Sequence, residues 1–217
     1  MADAPRIVPA GNKPRRLSAV LARYPRIAGV FAAAVGAVTL FGWLTEMRAI
    51  TYPVPGLPGM MPMTAMMSLL AGISLWLLSG ARRARKARLA ARVAAFALGV
   101  LALATLFEYA VGVDLDIDRL VPGRSSRGPG TAPRTAVAFG CIAVGLLLIG
   151  RETARARRGT DVAAAVAGAI AVFALLGYLF GVPALYGTRS AFQLVGMSIP
   201  TALVLLALSL GIMTAQV

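Results

Sequence analysis

The chain has no histidine and one cysteine, Cys141, among its 217 residues. Without imidazole, these residues cannot build His-ligated haem, a His-containing zinc site or a Ser-His-Asp triad. A lone thiol cannot hold a thiolate metal cluster or close an intrachain disulfide, so cysteine usage says nothing about redox compartment. Acidic side chains are scarce, eight Asp/Glu against 22 Lys/Arg. No lysine falls inside an apolar run, which leaves a retinal-type Schiff base without a candidate. No Gly-Lys-Ser/Thr loop stands ready for phosphate. No cofactor and no metal are expected. Asp114, Asp116 and Asp118 alternate like the first half of a Ca²⁺ loop, but that motif's glycine and distal glutamate are missing.

Apolar residues, by contrast, make up 59% of the chain, and the mean hydropathy is +0.79. Soluble domains hold roughly 45–50% apolar residues. Six apolar runs can be read, at about 27–45, 63–80, 93–112, 135–150, 162–181 and 199–215. Runs of about 20 residues suit a bilayer. The expected fold is therefore all-α, a polytopic membrane protein with six transmembrane helices. About 25 polar or basic residues precede the first run, so it reads as a retained helix rather than a signal peptide. The expected division is a basic leader, 1–25, followed by the membrane domain, 26–217. In the leader, Pro5, Pro9, Gly11 and Pro14 predict irregular chain to about Arg16, and Leu17 to Tyr24 predicts a short interfacial helix ending before Pro25.

A net charge of +14 invites a nucleic-acid reading, but the placement of the charge argues against it. The leader and the second and fourth inter-helix segments hold sixteen Lys/Arg, and the other three segments hold six. Short loops rich in Lys/Arg stay in the cytoplasm. In a six-helix chain all three basic segments fall on one side, with both termini cytoplasmic. The bilayer, with its anionic headgroups, is the expected partner.

The strongest internal pattern is a repeat. An apolar helix ends in Leu40-Phe41-Gly42-Trp43, Leu106-Phe107-Glu108-Tyr109 or Leu176-Gly177-Tyr178-Leu179. After a polar loop, the next helix restarts at Pro62-Met63-Thr64-Ala65, Pro133-Arg134-Thr135-Ala136 or Pro200-Thr201-Ala202. Thr64 and Thr135 are 71 residues apart, and Thr135 and Thr201 are 66 apart. Such periodicity predicts three parallel two-helix units, about 27–80, 93–150 and 162–215. Small residues recur eight and ten positions after each threonine: Gly72, Ala143, Ser209 and Ser74, Gly145, Gly211. They predict close helix packing in lipid.

The candidate site residues come from the same pattern. Glu108 is the one carboxylate inside an apolar run, and its repeat equivalents are Gly42 and Gly177. Intramembrane acids mark function by default, although this one falls near the interface, where a hydrated structural role also fits. Trp43, Tyr109 and Tyr178 suit an interfacial aromatic belt, or the wall of a pocket roofed by the loop carrying Pro183 and Tyr186. Thr64, Thr135 and Thr201 follow a proline at a helix start, where a hydroxyl can satisfy free backbone groups.

The Pro-x-Thr-Ala starts, residues 106–118 (LFEYAVGVDLDID) and residues 175–187 (LLGYLFGVPALYG) resemble an integral-membrane sensory input module. That module stands at the N-terminus of many bacterial sensor histidine kinases and diguanylate cyclases. The resemblance spans about residues 27–215. It implies a sensory domain in the bacterial inner membrane, and names no ligand for it. The expected role is to sense a membrane or envelope signal, with a lipophilic ligand, as a homo-oligomer or within a larger assembly. The resemblance also implies a cytoplasmic kinase or cyclase output beyond these residues, which themselves hold no ATP site or cyclase motif. An accessory or scaffold subunit is the alternative. A small transporter ranks last, because no proline is expected well inside a helix and no charge at the midplane.

Overall fold

Ala/Leu-rich apolar runs become helices, and the Pro, Gly and Ser clusters between them end those helices. The computed structural model describes residues 14–52, 57–80, 85–112, 131–151, 153–189 and 194–216. The leader before residue 14 and the Asp114-Asp116-Asp118 segment lie outside the described residues. In chain order the elements are α1 (Pro14–Leu44), α2 (Arg48–Thr51), α3 (Pro62–Leu78), α4 (Arg85–Val111), α5 (Pro133–Leu148), α6 (Ala154–Leu179), α7 (Pro183–Tyr186), β1 (Gly187–Arg189), β2 (Leu194–Gly196) and α8 (Ile199–Thr214). Among the described residues the fold is helical apart from β1 and β2. These pair antiparallel, with Gly187 opposite Gly196.

Three helices are long and apolar enough to cross a membrane: Leu21–Leu44 of α1, Arg85–Val111 and Ala154–Leu179. The other three apolar helices, α3, α5 and α8, have 17, 16 and 16 residues. At 1.5 Å per residue a 16-residue helix reaches about 24 Å, short of a hydrocarbon core of roughly 30 Å. The sequence runs 63–80, 135–150 and 199–215 match these lengths to within about two residues, and the packing shows what accommodates short helices. The short helices form the interior, with Phe139, Ile142, Leu75, Leu205 and Leu208 fully buried. The residues just before them are buried too, including Met60, Thr131, Met197 and Ser198. Non-helical backbone is tolerated at membrane depth when protein rather than lipid surrounds it. The long helices lie outside and turn Phe96, Leu103 and Leu179 outward, the last 75% exposed.

Each long helix packs antiparallel on the short helix that follows it: α1 on α3, α4 on α5, and α6 on α8. Each short helix also packs on the next long helix, α3 on α4 and α5 on α6, and α8 returns to α1. The three short helices touch one another inside this ring. The long helices finish, and the short ones begin, at one end, the cap end. The opposite end carries Arg85, Lys86 and Arg88 of α4 and Arg155, Arg157 and Arg158 of α6, and is the basic end.

The small residues have a directional rule. Eight positions after the threonine, each faces its own long helix. A Cβ on Gly72 would strike the backbone nitrogen of Ala33, Ala143 meets Gly99, and Ser209 meets Gly168. Ten positions after the threonine, each faces the next unit. Ser74 Oγ donates to Ala91 O at 2.9 Å. Gly145 meets Ile212 and Thr160, and Gly211 meets Leu75 and Ala28. Helices in lipid gain little from hydrophobicity and associate through such close contacts.

Helix α1 departs from the sequence expectation. It begins at Pro14 and runs without a break through Pro25, so no separate interfacial helix precedes that proline. The expectation that no proline lies within a helix is likewise corrected. A proline in a helix interior removes one hydrogen bond and crowds the preceding turn. Pro25 is nevertheless buried, with its Cα 3.7 Å from where a Cβ on Gly211 would stand. The missing side chain of Gly211 makes room for this part of α1.

Candidate functional site at the cap end

The three long helices end alike. Three residues after Trp43, Tyr109 and Tyr178 stand Glu46, Gly112 and Gly181, with φ of 55°, 69° and 64°. A left-handed residue there is the usual way to stop a helix. Beyond it the Met47 N–H donates to Gly42 O at 2.9 Å, and the Val182 N–H to Gly177 O at 2.8 Å. Gly42 and Gly177 also serve as seats. A Cβ on Gly42 would lie 2.7 Å from Ile50, just after the start of α2, and one on Gly177 would lie 2.7 Å from Leu185 of α7. The equivalent position in the middle unit is Glu108. Glu108 is half-buried, Tyr109 beside it is exposed, and both are engaged by neighbours.

The aromatic residues act as latches. Trp43 Nε1 donates to Met60 O at 2.9 Å. Tyr178 OH donates to Met197 O at 2.6 Å. Met60 and Met197 each stand four residues before the motif threonine, so both bonds tie the end of a long helix to the entry of its short partner. The rings have further neighbours. Tyr178 stacks on Tyr186 at 4.0 Å and 11°. Trp43 meets Tyr52 edge-on at 6.2 Å. The structure thus brings Tyr178 and Tyr186 together. Trp43, Tyr109 and Tyr178 end three different long helices, which places them as a girdle around the cap.

The threonines do not occupy the cap positions. The residues at the cap positions of α3 and α5, Met61 and Ala132, make no side-chain cap bond. Thr64, Thr135 and Thr201 each stand three residues further on and are buried. Thr64 Oγ1 lies 3.2 Å from Thr131 Oγ1, joining the first unit to the second. At α8 the cap is Ser198, whose Oγ accepts from the Thr201 N–H at 3.4 Å and lies 2.8 Å from its hydroxyl. Sequence reasoning passed over Ser198 and Thr131, although Ser198 just before Ile-Pro-Thr is a recognisable cap signal. It also passed over Arg134. That guanidinium donates to Ala184 O at 2.7 Å and Leu185 O at 3.2 Å, joining the second unit to α7. A Cβ on Gly196 would lie 3.2 Å from Pro58, which joins the third unit to the first.

Compared with protein-family models, curated proteins and solved structures, the chain matches none. Function must be read from the site itself. Hydroxyls, backbone carbonyls, aromatic faces and one carboxylate suit binding and mechanical coupling.

Proposed function

We propose that the chain is a sensory input domain embedded in the bacterial inner membrane, with six spanning helices in three equivalent hairpin units and its basic end and both termini in the cytoplasm. The observation that carries this reading is the course of α8. It starts at the cap, directly beneath the Tyr178–Met197 bond and Ser198, and ends at the basic end, where Gln216 meets Arg157 and Asp161. On the way it packs against α1, α3, α5 and α6. A rearrangement at the cap therefore has one continuous element through which to reach the other face.

A ligand moves such an element only if it binds two arrangements with different affinity. The sensing surface is assigned to Tyr178 and Tyr186, with Trp43, Glu108 and Tyr109 along the rim. The residues favour a lipophilic ligand with a polar end, since apolar walls with few polar groups are what small-molecule sites generally offer. An output domain following α8 carries any enzymatic activity, and a homo-oligomer or larger membrane assembly is its working form.

The test joins residues 1–217 to a reporter output and compares Tyr178→Phe, Tyr186→Leu and Glu108→Gln with an Arg127→Gln control. The expected result is an altered response to membrane-active compounds in the first three, with normal insertion. Responses identical to the parent in all three would remove the sensing surface. Orientation is checked by single cysteines at Arg85 and Thr45 in a Cys141→Ala background. Impermeant thiol reagents should label position 45 in intact cells, and position 85 only after lysis.

A further inference from the structure

The basic end is uneven, and the unevenness points to a partner. Helix α4 opens with Arg85, Lys86 and Arg88, followed by Arg92, all exposed. The helix has no acidic residue until Glu108, near its other end. The last turns of its packing neighbours, α3 and α5, contain only apolar residues. Helix α6 is also basic but is partly occupied. Arg157 Nη2 donates to Gln216 O at 2.6 Å, and Asp161 accepts from Gln216 Nε2 at 3.0 Å. Among the described residues, the four exposed cations of α4 lie within eight positions of one another, and none is engaged by the rest of the fold.

Arg85, Arg88 and Arg92 are three and four residues apart, which gathers them towards one side of the helix. Leu89, Val93 and Phe96 share and continue that side, at 64%, 59% and 64% exposed. Arg85 to Arg92 rises about 10 Å along the axis, within the depth of a headgroup layer. Guanidinium groups bind phosphate oxygens through paired N–H donors. Cations over the first two turns, with Leu89 between them and the exposed Val93 and Phe96 beyond, match the two halves of a phospholipid.

We propose that the basic end of α4 is a binding site for an anionic phospholipid, its phosphate held by Arg85, Arg88 and Arg92 and its acyl chain lying along Leu89, Val93 and Phe96. The site rests on the membrane location of the chain and is independent of whether it signals.

Native mass spectrometry of the purified full chain in neutral detergent tests it, with phosphatidylglycerol, phosphatidylcholine or soluble glycerol phosphate added. The parent should retain phosphatidylglycerol in preference to phosphatidylcholine, and glycerol phosphate should not compete. Each basic residue near an anionic surface is worth about fivefold in binding. The Arg85→Gln/Arg88→Gln/Arg92→Gln variant should therefore lose at least roughly tenfold. The matching Arg151→Gln/Arg155→Gln/Arg158→Gln variant should lose less, and triple lysine replacement on α4 should keep most of the binding. Equal retention of the two lipids, equal loss in both glutamine variants, or displacement by polyglutamate in place of lipid binding would each overturn the proposal. The comparison of lipids on the parent decides it even if a variant fails to fold.

Discussion

Gly168 of α6 and Ser209 of α8 face each other across the third hairpin, with the serine Oγ 3.5 Å from where a glycine Cβ would stand. That hydroxyl is buried and has no hydrogen-bond partner among the described residues. The middle unit has Ala143 at the same place, packed against Gly99. A buried hydroxyl without a partner costs about 1–3 kcal/mol. Ser209→Ala should therefore stabilise the bundle by about 1 kcal/mol, raising a thermal midpoint in detergent by about 2–4 °C. A lower midpoint would mean that the hydroxyl is satisfied in the membrane.

Glycines along the helix seams should differ sharply in tolerance. A Cβ on Gly72 meets backbone atoms of Gly29 and Ala33, whereas one on Gly140 would make ordinary contact with Ala102 at 3.8 Å. Gly72→Ala should cost about 1–3 kcal/mol, because backbone cannot step aside. Gly140→Ala should be neutral or gain up to about 1 kcal/mol from helix propensity. Detergent-induced unfolding followed by helicity distinguishes the two.

Glu46 is the one residue other than glycine with positive φ among the described residues, at 55°, where the other two units use Gly112 and Gly181. A left-handed conformation costs a residue with a Cβ about 1–2 kcal/mol, and a negative charge near a helix C-terminus opposes its dipole. Glu46→Gly should therefore stabilise by about 1 kcal/mol, read as a rise in thermal midpoint.

Removing one oxygen tests the latch at the start of α8. Tyr178→Phe loses the bond to Met197 O but keeps the stack on Tyr186. The expected cost is about 1–2 kcal/mol, with faster hydrogen exchange at the amides of Met197 and Thr201. Unchanged exchange there would show that Ser198 alone holds the entry to α8.

The recurring aromatic residues and the Pro-x-Thr-Ala starts were legible because each repeats within a few residues of a helix end, where local chemistry decides. The small residues after each threonine were legible as packing positions, but not their directions. Which side of a helix meets its own partner, and which meets the next unit, depends on the closed ring. The lengths of α3, α5 and α8 were legible to within about two residues, but not their interior position, because hydropathy does not distinguish a neighbour's side chains from lipid. Pro25 was read as a helix boundary because its tolerance depends on Gly211, nearly the whole chain away. The β1–β2 ladder has three residues a side, too few to show alternation, and nothing around Arg134 in the sequence points to the α7 carbonyls that it meets.

The contact between Gly211 and Ala28 has a consequence for synthesis. It joins α8 to α1, so the α1 surface that α8 covers stays bare while every intervening helix is being translated. Until then the nascent bundle is an open crescent with a small-residue groove along one edge. That edge is where a membrane chaperone would have most to protect, and where a second nascent chain could insert its own α8 in error.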